Sequence, residues 1–310
     1  MNIDPSTVFE DVVRFPVPAS DRAFEKLVGL DDIKSRLVKE AMLAIDPRLL
    51  SDWCNKNHNG QLPLLDTFAD RPPLFILAGD VGTGKTALAR SFGSVVAQKL
   101  KIPVLLYAMS LNARGTGAVG EMTRLISTAF SQVQEACGKS RDGTGKAGRG
   151  IVLLIDEADA LAQSREFAQM HHEDRAGVNA LIRGIDDIAS ARLPAVVVMC
   201  TNRLTAIDPA VRRRAAGVFT FTRPSDSQRE CVLRAELKDV GFTDHQLAEL
   251  VAATGHNGQR KYGYTYSDLV QRLVPSLVLD AFPNNPIRAD RALQIALATA
   301  PTPPFEEEEV

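Results

Sequence analysis

Cysteine is scarce in this chain: four residues in 310 (Cys54, Cys137, Cys200 and Cys231), with no C-x-x-C pair among them. That scatter excludes a disulfide framework and a zinc site of ordinary spacing. Cys54 with His58, or the pair His171-His172, offers too few donors to complete a metal site, so packed or solvated side chains are expected there. Long apolar runs are missing, none approaching the about 18 residues of a membrane span. The N-terminus lacks a basic stretch followed by an apolar one. A cytoplasmic protein with no membrane partner is the expectation. Neither sign of charge dominates: 36 Lys and Arg stand against 38 Asp and Glu, a net of −2. This makes nucleic acid unlikely as the principal partner, while leaving room for a local basic patch. No internal repeat is visible. What remains is a globular composition, 45% hydrophobic and 24% charged, in a chain long enough for about two domains.

Within it, Gly79-Asp80-Val81-Gly82-Thr83-Gly84-Lys85-Thr86 follows the apolar run Leu74-Phe75-Ile76-Leu77 and reads G-x-x-x-x-G-K-T. The spacing predicts a phosphate-binding loop between a buried strand and a helix, whose apolar side carries Leu88, Ala89, Phe92, Val95 and Val96. Gly79, Val81, Gly82, Thr83 and Gly84 would present backbone N–H groups to phosphate oxygens at the helix N-terminus. Lys85 would reach the β- and γ-phosphates, and the Thr86 hydroxyl would hold Mg²⁺. The ligand expected is ATP with Mg²⁺.

Ile151-Val152-Leu153-Leu154-Ile155 suits a central parallel strand buried on both faces. Asp156 and Glu157 lie at its C-terminal end, where open α/β sheets bind ligands. Asp156 is the candidate metal-side carboxylate. Glu157 is the candidate base for a water attacking the γ-phosphate. Gly143-Thr144-Gly145-Lys146 imitates a second phosphate loop, but Ser140 replaces its first glycine and Ala147 its Ser/Thr, so a polar loop is expected there.

Strands are predicted at 74–77, 104–107, 151–155, 195–199 and 218–221, alternating with helices, which calls for a mainly parallel sheet between helical layers. Beyond Pro224 the pattern turns wholly helical. The divisions expected are a short N-terminal extension (1–24), a large α/β domain (25–224), a small helical domain (225–300) and an acidic disordered tail (301–310).

From Leu27 to Ala300 the chain resembles the AAA+ ATPases, because several motifs agree in order. Leu27-Val28-Gly29-Leu30 is similar to the segment that contacts adenine, so Val28 and Gly29 would flank the base. Cys200-Thr201-Asn202 matches the sensor-1 position, with Asn202 placed to help polarise the attacking water. Asp208-Pro209-Ala210-Val211-Arg212-Arg213-Arg214 looks like the arginine-finger segment, with Arg214 the first candidate and Arg213 the second. A guanidinium offered to the γ-phosphate stabilises charge developing in phosphoryl transfer. The resemblance implies a five-stranded parallel sheet with a helical lid. It also implies that the finger comes from a neighbouring subunit of a homo-oligomer, usually a hexamer.

The stretch from Val178 to Ile188, with Ala195 to Asn202 and Arg214-Ala215, resembles the pachytene checkpoint family and its bacterial relatives. That resemblance implies a remodeller of HORMA-domain proteins and, in bacteria, a part in nucleotide-signalling defence against phage. Three departures stand out. About 24 N-terminal residues are too few for the substrate-recognising domain of eukaryotic members. The first pore loop reads Gly115 to Glu121, so Ala118, Val119 and Gly120 would grip a polypeptide without an aromatic ring. The sensor-2 position aligns to Ser267, with Arg272 one turn on, and a second pore loop would span Gln163 to Arg175. A nucleic-acid motor or loader and a slow, nucleotide-controlled scaffold are the rival readings.

Overall fold

A computed structural model describes residues 8–58, 60, 62–111, 120–138, 147–160, 171–256 and 260–305. The chain divides into two compact units. The first comprises Met1–Lys26, Asp31–Ala78 and Thr86–Thr220. The second comprises Leu27–Leu30, Gly79–Lys85 and Phe221–Val310.

The first unit is built on β1 (Asp11–Phe15), β2 (Leu74–Gly79), β3 (Val104–Ser110), β4 (Gly150–Asp156), β5 (Ala195–Thr201) and β6 (Ala215–Phe221). They form one sheet in the order β1-β3-β4-β5-β2-β6. The pairs β3·β4, β4·β5 and β5·β2 are parallel. Continuous apolar sequence explains the middle: β5 is buried along its whole length, and so is β4 up to Asp156. β6 alternates instead, turning Phe219 and Phe221 inward and Val218 and Thr220 outward.

The sheet has six strands where five were expected, and the added one, β1, runs antiparallel to its neighbour β3. The N-terminal segment supplies β1, which pairs with β3 from Asp11↔Ala108 to Phe15↔Val104. At an edge only one side of a strand needs a partner, so a five-residue run ending at Pro16 suffices.

Among the described residues, this part of the chain carries the α-helices α1 (Pro18–Glu25), α2 (Asp31–Ile45), α3 (Arg48–His58), α4 (Leu64–Ala69), α5 (Lys85–Leu100), α6 (Glu121–Gly138), α7 (His171–Ser190) and α8 (Pro209–Arg212). In α6, Leu125, Ile126, Ala129, Phe130 and Val133 repeat at helical spacing. They share one core with Leu181, Ile185 and Ile188 of α7 and with the strand residues Ile151, Leu153 and Val197.

The second unit carries α9 (Asp226–Glu236), α10 (Asp244–Ala253), a π-helical stretch Asp268–Leu273 running into α11 (Val274–Ala281), and α12 (Ala289–Ala298). Two capping boxes, Ser225 with Gln228 and Thr243 with Gln246, start α9 and α10. Leu233, Leu250, Tyr264, Leu269, Leu273, Leu277 and Ala296 make its core, and Val28 packs against it.

Candidate phosphate-binding and hydrolytic site

The phosphate loop runs from the end of β2 to the first turn of α5. Its backbone requires glycine. Gly79 sits at φ 148° and Gly82 at φ 70°, and a Cβ on Gly79 would fall 2.0 Å from the Phe221 carbonyl oxygen. Thr83 is buried and its hydroxyl donates to the Asp80 carbonyl at 2.7 Å. Lys85 is only 7% exposed, and its ammonium donates to the carbonyls of Gly79 (2.9 Å) and Asp80 (2.7 Å). The lysine is therefore drawn back across its own loop. Val81 is exposed at the tip.

Within the second unit the loop has further neighbours. The Ser267 N–H donates to the Gly82 carbonyl at 3.1 Å. Gly29, at φ 71°, accepts a hydrogen bond at its carbonyl from the Gln228 side chain at 3.1 Å. Arg272, one turn beyond Ser267, is held by Asp268 at 3.0 Å.

In the first unit, the Thr86 hydroxyl donates to Asp156 Oδ1 at 3.2 Å, across 70 positions of sequence. The same oxygen accepts the Glu157 N–H at 3.0 Å. Burial raises the pKa of Asp156, and the hydrogen bonds from Glu157 N–H and Thr86 offset this only in part. A hydroxyl and a carboxylate side by side, with no soft donor, form an oxygen set that fits Mg²⁺. Among the described residues no cluster of three or more His, Cys, Asp or Glu could hold a metal by itself. The remaining ligands would be phosphate and water oxygens.

Glu157 is exposed and stands at φ 53°, left-handed backbone that a glutamate seldom adopts. Its Oε2 accepts the Ser110 hydroxyl at 2.5 Å. Ser110 ends β3 in register with Asp156, so the parallel pairing itself delivers that hydroxyl. Asp159 is buried, and its Oδ1 lies 3.2 Å from the Thr201 hydroxyl and 3.3 Å from the Asn202 N–H. These contacts fix the backbone at Asn202, whose side-chain amide has no partner among the described residues. Sequence reasoning missed Ser110 and Asp159. The spacing Asp156-Glu157-Ala158-Asp159 was a visible signal for the second, whereas Ser110 had none.

The three arginines differ. Asp208 caps α8 by accepting the Ala210 N–H at 2.7 Å. Arg214 forks onto Asp186, Nε to Oδ1 at 2.8 Å and one terminal nitrogen to Oδ2 at 3.1 Å, and gives its other terminal nitrogen to the Ala210 carbonyl. The hydrogen bond to Asp186 raises its pKa further. Arg213 is exposed, and its side chain has no ion-pair or hydrogen-bond partner among the described residues.

Of the remaining candidates, Gly120 (φ 76°) precedes α6 with open space around it, while Ala118 and Val119 lie outside the described residues. The same holds for 163–170 of the second pore loop, for the side chains of 171–175, for Gly143 to Lys146 and for Glu306 to Glu309. Cys54 is buried. No described helix is long and apolar enough to cross a membrane.

Comparison with known proteins gives the family. Residues 75–223 match the family model for the ATPase family associated with various cellular activities (AAA). CD-NTase-associated protein 6 of Escherichia coli (strain MS 115-1) is 50% identical over 307 residues, covering 98% of this chain and 99% of that protein. Among solved structures, the E. coli MS115-1 HORMA:CdnC:Trip13 complex contains a similar chain with TM-score 0.90 and 47% identity, covering 99% of this chain and 100% of that one. The structure of Rhizobiales Trip13 follows with TM-score 0.74 and 43% identity, covering 96% and 100%.

Proposed function

This chain belongs to the AAA ATPases and, within them, to the family of CD-NTase-associated protein 6, and on that premise we propose that it hydrolyses ATP to remodel a HORMA-domain partner. The observation that carries the hydrolytic half is the file of oxygens from Thr86 through Asp156 to Glu157 and Ser110 at the ends of β3 and β4. Lys85 would leave the Gly79 and Asp80 carbonyls for the β- and γ-phosphates. Thr86 and Asp156 would hold Mg²⁺, which when bound neutralises phosphate charge.

Glu157 is the group we assign to take the proton from the attacking water. One oxygen of its carboxylate accepts the Ser110 hydroxyl, which restrains the group and leaves the other oxygen for the water. The Asn202 amide, held at its backbone by Asp159, would orient that water. Val28 and Gly29 would line the base. For the finger we reverse the order of preference drawn from sequence: Arg213 comes first, because Arg214 is committed to Asp186. A finger supplied by a neighbour requires a homo-oligomer, and six chains is our proposal.

The HORMA partner is supported by the 47%-identical chain in the HORMA:CdnC:Trip13 complex. The CD-NTase association of the 50%-identical relative supports a role in nucleotide-signalling defence against phage. Pore-loop residues Ala118, Val119 and Gly120 are proposed to contact the threaded segment. The test is Glu157→Gln. It should bind ATP, keep its assembly and lose turnover by about 10²-fold or more. Near-normal phosphate release from this variant would remove Glu157 as the base.

A further inference from the structure

After α12 the chain does not leave the second unit; it turns back toward the phosphate loop through three successive anchors. At the first, the Tyr264 hydroxyl lies 2.9 Å from the Ala296 carbonyl and 3.0 Å from that of Thr299, and Arg260 donates to Ala296, Leu297 and Thr299 carbonyls. At the second, the fully buried Asp268 accepts the Thr302 hydroxyl (2.6 Å) and N–H (3.0 Å), together with the Thr265 N–H and Arg272. At the third, the Phe305 N–H donates to Asp80 Oδ1 at 3.1 Å.

Asp80 is the residue on which these lines meet. Its other carboxylate oxygen accepts Arg223 Nε at 2.7 Å, and Arg223 also donates to the carbonyls of Gly263 (2.7 Å) and Thr302 (2.8 Å). The pair is well shielded, with side chains 16% and 18% exposed. A charge-assisted hydrogen bond in such surroundings, with the guanidinium's other two nitrogens held by carbonyls, restrains orientation as well as position. The peptide carbonyl of Asp80 is, in turn, the acceptor for both Thr83 and Lys85. Whatever sets the angle of Asp80 therefore sets the loop that must present its N–H groups and its lysine to phosphates.

We infer that residues 299–305 form a positioning strap that, through Arg223 and Asp80, holds the phosphate loop ready for nucleotide and so sets nucleotide affinity. This rests on the nucleotide-binding reading above and adds a contribution from a segment outside every motif of the site. A preset loop loses less conformational freedom when it closes on phosphate, so releasing the strap should weaken binding without changing the chemistry.

The experiment is titration of the full chain and four variants with a fluorescent ADP analogue, followed by steady-state ATP turnover. The variants are a chain stopped after Phe305, a chain stopped after Ala300, Thr302→Val and Thr302→Ser. The first removes only Glu306 to Val310 and should bind as the parent does. Stopping after Ala300, or replacing the Thr302 hydroxyl by a methyl group, should raise Kd about tenfold with one site per chain retained. Thr302→Ser, which keeps the hydroxyl, should restore the parent value. KM for ATP should rise with Kd while kcat stays within about twofold.

A merely structural role would instead lower the number of binding-competent chains at unchanged Kd, and that outcome overturns the strap. So does unchanged or tighter binding in Thr302→Val, or an equal loss on removing only Glu306 to Val310. If the parent chain itself failed to bind the ADP analogue, the nucleotide reading would fall first and the strap with it.

Discussion

Exchanging Arg213 and Arg214 for alanine, one at a time, separates two roles that the sequence Arg212-Arg213-Arg214 leaves indistinguishable. Arg214 is bidentate to Asp186, but the side chains are 34% and 43% exposed. Solvent screening therefore limits the pair to about 0.2–1 kcal/mol, or under about 4 °C of melting temperature. Arg214→Ala should lose about that much stability and less than about tenfold in turnover, by loosening the end of α8 against α7. Arg213→Ala breaks no described contact, so its melting temperature should match the parent. Its turnover should fall by about 10³-fold or more if Arg213 is the group offered to a neighbour's γ-phosphate.

Mixing supplies the decisive assay. Lys85→Ala and Arg213→Ala chains should each be inactive alone. In a head-to-tail ring assembled from equal amounts, about a quarter of interfaces would pair an intact Lys85 with a neighbour's intact Arg213. Phosphate release from the mixture should then rise to about a quarter of the parent rate, provided the sites work independently. No recovery on mixing, with both chains shown to co-assemble, would refute the trans arrangement. Full activity in Arg213→Ala beside a dead Arg214→Ala would return the finger to Arg214.

Two further outcomes follow from the geometry. Burial raises the Asp156 pKa, so the folded chain binds that proton more tightly than the unfolded one, and ionising it at higher pH costs folding free energy. Without nucleotide at pH 7.5, Asp156→Asn should melt at or above the parent, the gap closing as pH falls through the raised pKa, while Mg²⁺-dependent turnover disappears; a clear drop in melting temperature would count against this. Gly79→Ala would drive a methyl group onto the Phe221 carbonyl from a φ of 148°, a cost of about 2 kcal/mol or more. Thermal melting and ADP binding should both show the loss, and a normal melt with parent affinity would show that the loop tolerates what the contact forbids.

How much of this could be read beforehand depended on how local each requirement is. The phosphate loop was legible because its demands are met within eight consecutive residues: positive φ at Gly79 and Gly82, a cation at Lys85, a hydroxyl at Thr86. The central strands were legible because burial on both faces forces unbroken apolar sequence, as in Ile151 to Ile155. Asp156 and Glu157 came with them. β1 was not legible, since Asp11–Phe15 is short and is a strand chiefly by virtue of its pairing with β3. Ser110 reaches Glu157 because two parallel strands happen to share a register, and Arg214 meets Asp186 from 28 residues away.

Asp80 shows the limit of motif reading most sharply. In G-x-x-x-x-G-K-T it is one of the unspecified positions, free as far as phosphate geometry is concerned. Yet its carboxylate gathers Val81, Arg223 and Phe305, from 1, 143 and 225 positions away. A motif records what the ligand requires of the loop; it is silent about what the rest of the chain requires of it. Positions a motif leaves open are therefore where the rest of a chain can take hold of the loop, and in this chain the hold is an aspartate that reaches Arg223 and Phe305 outside the motif.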